Sequence, residues 1–107
     1  MTAPEYFSLE ESAIWAAFVE AMPPGAPTLT ATALQTLEAY CGERARWLDA
    51  EKYLRENGST IVLRSDKGEV KSTAQAPQLA IARVAQQRAL KLFATLQRYT
   101  RPMTGAR

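Results

Sequence analysis

No proline falls between Thr28 and Asn57, and the apolar residues of that stretch recur in two rows at seven-residue intervals. One row is Leu34, Cys41 and Leu48; the other is Tyr40, Trp47 and Leu54, with Leu37 between them. The spacing predicts one helix of about 27 residues, ~40 Å long at 1.5 Å per residue. Thr28 or Thr30 can cap its start, and Asn57-Gly58 can end it with a left-handed residue. Its apolar arc is wider than one antiparallel neighbour covers. A chain of 107 residues is one domain at most and has few elements to spare. The second cover is therefore expected from another copy of the chain, with Leu37, Tyr40, Trp47 and Leu54 at the contact.

Two further helices and a hairpin are predicted around this element. Ser8-Leu9-Glu10-Glu11 reads as a capping box that opens a first helix. Ile14, Trp15, Phe18, Val19 and Met22 follow at helical spacing. Pro23-Pro24-Gly25-Ala26-Pro27 stops that helix and makes a stiff connector. Thr60-Ile61-Val62-Leu63-Arg64 is rich in β-branched residues, Ser65-Asp66-Lys67-Gly68 is a polar turn, and Glu69 to Thr73 can pair back. Such a hairpin is marginal alone and must lean on a helix or on a copy of itself. A last helix starts near Pro77 and runs to about Tyr99. On it Ile81, Ala82, Ala85, Ala89, Leu92, Phe93, Leu96 and Tyr99 share one stripe. The expected fold is mainly α, a long antiparallel helix pair joined by a β-hairpin with an additional N-terminal helix. Residues 1–27 supply that helix and the connector. Residues 28–107 supply the oligomerisation core.

Composition removes most catalytic chemistries. There is no histidine and a single cysteine, so no disulfide framework, no Cys/His zinc cluster and no His-based triad can form. No phosphate-binding glycine loop is present. The acidic pairs Glu10-Glu11 and Asp49-x-Glu51 lack partner ligands at a metal-binding spacing. Cys41 sits on an apolar row and reads as a small buried hydrophobe. No cofactor, no metal and no enzymatic activity are expected. The N-terminal residues carry neither a basic segment nor a long apolar run, which predicts a cytosolic protein with no membrane partner.

Charge is distributed unevenly. Residues 1–60 carry nine acidic and four basic side chains, whereas residues 61–107 carry nine basic and two acidic ones. No acidic residue follows Glu69. Arg64, Lys67 and Lys71 fall on the predicted hairpin; Arg83, Arg88, Lys91, Arg98 and Arg101 fall on or just after the last helix. Cations on a regular surface can neutralise phosphates without reading base edges. The competing reading is mutual neutralisation of the two halves, within a subunit or between subunits. One copy holds few charges, whereas a ring of copies would multiply them. A helix-turn-helix fits poorly, because the Pro-rich connector exceeds that motif's turn and the second helix is long and acidic.

The stretch from Tyr40 onward resembles a family. Arg46-Trp47-Leu48-Asp49-Ala50-Glu51-Lys52-Tyr53-Leu54 is similar to the Trp-x-x-Ala-Glu-x-x-Leu of bacteriophage terminase small subunits with a helix–hairpin–helix core. Asn57-Gly58, a short hairpin with Gly in its turn, and Ala76-Pro77-Gln78-Leu79 entering a last helix follow in the same order. In the tail, Thr100 and Arg101 stand where the family has Leu and Thr. Residues 1–30 contribute nothing to the resemblance. It implies a non-catalytic homo-oligomeric ring in the host cytoplasm that recognises or loads double-stranded viral DNA and passes it to the large terminase subunit. The alternatives are a small helical scaffold for an acidic protein and a DNA-binding transcriptional regulator.

Overall fold

The computed structural model describes residues 2–23, 28–64, 68 and 70–100, with the backbone alone at 60–64 and 70–73. Ser8 opens the first helix, α1 (Leu9–Ala21), through a reciprocal cap. Its Oγ accepts from the Glu11 N–H at 3.1 Å, and Glu11 Oε1 accepts from the Ser8 N–H at 2.9 Å. Pro23 follows shortly after the last turn, where a helix cannot continue. Thr30 caps α2 (Ala31–Asn57), its Oγ1 accepting from the Ala33 N–H at 3.2 Å. Gly58 ends α2 at φ +78°, a region open to glycine at little cost, and its N–H donates to Leu54 O at 2.8 Å.

Strands β1 (Thr60–Arg64) and β2 (Val70–Gln75) pair antiparallel, from Thr60 opposite Gln75 to Leu63 opposite Ser72. Arg64 then faces Val70, which leaves Lys71 as the extra residue of a bulge. The Ala76 N–H donates to Ser59 O at 2.8 Å and ties the base of the pair together. Helix α3 (Pro77–Thr100) begins at once, with proline in its first turn as the sequence predicts. The predicted Ser65–Lys67 portion of the turn lies outside the described residues.

The start of α2 lies beside the end of α3: Ala33, Leu37 and Cys41 pack with Leu96. Further along, Glu43 and Arg46 lie beside Ile81 and Val84. The two helices therefore run antiparallel. Trp15 of α1 enters the same core, with Ile14, Phe18, Val19 and Met22 against it.

This arrangement corrects one expectation. The second cover on α2 is α1, from the same chain, and no second copy is needed for the Leu34–Cys41 row. Leu37, expected at a subunit contact, is fully buried at the junction of the three helices and has no surface left to offer. The reason is the folding back of α1, whose apolar face was legible but whose docking was not. The cover is incomplete, however. Helix α1 has 13 residues, ~20 Å of length against the ~40 Å of α2. Leu48 faces α1 across a hollow, and Trp47, Leu48 and Leu54 remain only half-buried.

The molecule is elongated, 70 × 32 × 20 Å. Its radius of gyration is 19.0 Å, whereas a compact chain of this length is expected near ~13 Å. An elongated body keeps long flanks in contact with solvent, and those flanks are where the candidate surfaces lie.

Candidate nucleic-acid and subunit-contact surfaces

Helix α3 presents the described part of the basic set. Ala82, Ala85, Ala89 and Leu96 are buried, and Arg83, Arg88, Lys91 and Arg98 are all exposed. At about 100° per residue, Lys91 and Arg98 share one line pointing away from the core, ~10 Å apart along the axis. Arg83 and Arg88 stand on opposite flanks of that line. The four therefore form a broad cationic back with its axis on Lys91 and Arg98, and no single stripe.

None of these four cations forms an ion pair among the described residues; the ion pair present there is Arg46 with Glu43, at 2.6 Å. No contact ion pair joins α3 to the acidic half among the described residues, although Arg88 shares a hollow with Glu43. Arg64 and Lys71 are placed only by backbone, on β1 and at the β2 bulge. Lys67 and Arg101 lie outside the described residues.

The expected contact residues on α2 have different surroundings. Tyr40 joins an aromatic cluster, its ring centroid 5.6 Å from Phe93 and 6.2 Å from Phe18. Burial pushes the Tyr40 phenol above its ordinary value. Trp47 is half-buried and held on both sides. Its Nε1–H donates to Glu51 Oε1 at 2.6 Å, and the Arg44 guanidinium lies 4.2 Å from the ring centroid. Leu54 is half-buried farther along. Tyr40 and Trp47 line one hollow with Arg44, Leu90 and Phe93.

Sequence reading missed the exposed apolar residues of α3. Ile81 is 41% exposed, Val84 44% and Leu90 55%. Ile81 belongs to the predicted stripe but lies at its edge. Val84 and Leu90 fall outside the stripe altogether, and their off-stripe position was the available signal. Ile81 and Val84 line a second hollow, with Glu43, Arg46 and Arg88. Glu43 Oε2 there is buried and finds no hydrogen-bond donor among the described residues.

Burial pushes the Cys41 thiol up to about 12, with Glu11 and Glu38 adding to the shift. A thiol so placed is not a nucleophile near neutral pH. Glu11 is occupied in the α1 cap, and Glu38 accepts from the Tyr6 hydroxyl. Among the described residues no three acidic or cysteine side chains gather as metal ligands. No helix there is long and apolar enough to cross a membrane.

The family model described as phage terminase, small subunit, matches residues 12–97. No curated protein and no solved structure matches the chain. The matched span starts inside α1, so residues 12–30 fall within the family match although they contributed nothing to the resemblance read from the sequence. It stops at residue 97, before the tail. With most of its length covered, from the first helix through both partners of the long helix pair, this chain belongs to the phage terminase small subunit family.

Proposed function

We propose that the protein is a non-catalytic, ring-forming adaptor for viral genome packaging. It binds double-stranded viral DNA through its basic C-terminal half and delivers it to the large terminase subunit in the host cytoplasm. The observation that carries this reading is the cationic back of α3, exposed and without an ion pair among the described residues, on a chain of this family. Lys91 and Arg98 form its axis, with Arg83 and Arg88 on its two flanks. Arg64, Lys67, Lys71 and Arg101 add charge elsewhere in the C-terminal half of the sequence. Phosphate contacts of this kind load DNA without reading its sequence. Copies in a ring engage one duplex together, which raises the apparent affinity of a weakly charged subunit.

The test combines native mass with a salt titration of binding to labelled duplex DNA. An oligomer is expected, with log affinity falling linearly in log salt. Lys91→Glu with Arg98→Glu should weaken binding to every duplex and lower the slope by about 1.8 per engaged copy, at ~0.9 per lost phosphate contact. Absence of DNA binding at low salt points instead to a helical scaffold for an acidic protein. An affinity ratio of ~10³ or more for one operator points to a regulator.

A further inference from the structure

A carboxylate oxygen lies buried between α2 and α3 without a donor. The Glu43 side chain is only 14% exposed. Its Oε1 accepts from Arg46 Nη1 at 2.6 Å. Its Oε2 is buried, and no donor among the described residues reaches it. An oxygen in that state has given up water and gained no partner, so it favours any donor that can approach.

Arg46 and Arg88 stand beside it in one hollow. Arg46 lies on the same helix as Glu43, has a side chain 57% exposed and is already engaged with Oε1. Arg88 comes from the facing helix. It is exposed and forms no ion pair among the described residues. The hollow measures about 310 Å³, and Ile81, Val84 and Ala85 form its apolar wall on α3. A guanidinium has room to turn inward there, and the apolar wall keeps its attraction to Glu43 from being fully screened. Turned outward, the same side chain lies on a flank of the Lys91–Arg98 line, within the cationic back of α3.

We infer that Arg88 is shared between two acceptors, the Glu43 carboxylate inside the subunit and a DNA phosphate outside it. Glu43 is then an internal competitor, which holds Arg88 back until a phosphate takes it. The inference rests on DNA binding by the cationic back, and it adds a residue of the acidic half that tempers that binding. Arg83, Lys91 and Arg98 line no hollow with Glu43 and stay available throughout.

A double-mutant cycle tests the sharing. Glu43→Gln keeps the side-chain shape and an oxygen for Arg46 but removes the charge; Arg88→Gln removes the cation at an exposed position. Circular dichroism checks that both variants and their combination fold. In duplex binding at low salt, Glu43→Gln should raise affinity about two- to five-fold, the range of a partly exposed ion pair. In the Arg88→Gln background that gain should largely vanish. An equal gain with and without Arg88 is a general effect of removing negative charge and overturns the sharing, as does no gain at all. Urea unfolding of the same four proteins without DNA reads the inner contact directly: coupled effects at the two positions are expected, and additive ones overturn it. Those failures leave DNA binding by the wild type intact. A wild type that binds no duplex at low salt overturns the DNA reading and the sharing together.

Discussion

Leu37→Ala takes the branched end off a side chain that lies at the meeting point of all three helices and has no exposed surface. Helix α1 reaches that point through Trp15 and α3 through Leu96. Neither helix can close a gap there without drawing away from its other contacts. Truncation of a fully buried leucine costs about 3 kcal/mol in such a setting. A domain of this size holds roughly 5–15 kcal/mol in total. With a urea slope of ~1.5 kcal/mol/M, the unfolding midpoint should fall by about 2 M. The assay is urea unfolding followed by far-ultraviolet circular dichroism at two protein concentrations. Assembly of the proposed kind would make each midpoint depend on concentration, but the difference between variant and wild type should be the same at both. Leu90→Ala is the contrast, at a site 55% exposed; in a protomer without its neighbours it should move stability by only ~0.5 kcal/mol. A Leu37→Ala midpoint near that of the wild type, together with a smaller native mass, would refute the core assignment and return Leu37 to the subunit contact.

The Cys41 thiol, held up to about 12, should resist alkylation in the native protein at pH 8 and react at once in denaturant. Its raised value also sets a direction for stability against pH. Between the ordinary thiol range and about 12 the unfolded chain loses the proton while the folded chain keeps it, so stability falls as pH rises through that window. Below pH 8 the group contributes no slope, and Cys41→Ala should flatten the alkaline decline measured by urea midpoints at pH 8 and pH 10. Ser8→Ala breaks the α1 cap and should cost about 1 kcal/mol, read as faster hydrogen exchange in the first turn of α1 with α2 unaffected. Trp47→Phe keeps the ring under Arg44 but removes the Nε1–H bond to Glu51. It should lower stability by roughly 1 kcal/mol, measured by the same unfolding assay.

The helices were legible because their boundaries are written in local chemistry. Ser8 with Glu11, Thr30, Asn57-Gly58 and Pro77 each start or stop backbone hydrogen bonding within a few residues, and the structure uses all of them. What covers α2 was not legible. The two heptad rows reveal how much apolar surface needs a partner, and they do not reveal whose. Helix α1 supplies part of the answer, and its docking depends on where a proline-rich connector sends it, which no periodicity encodes. Leu37 and Trp47 were grouped as equals in the sequence, yet one is sealed at a three-helix junction and the other is half open. The basic set was legible as composition. Its division into an outward line and two flanks appeared only once the buried face of α3 was known.

The slender outline of the protomer has a mechanical consequence. In the proposed ring, a rod 70 Å long and 20 Å thin, stacked edge to edge like a stave, would give a wall whose two rims carry different things: the β1–β2 pair at one, the meeting of the α2 start with the α3 end at the other. A partner that gripped one rim of such a ring would feel the same foothold repeated around the circle. Feeble single grips then sum to a firm hold that can still step from stave to stave.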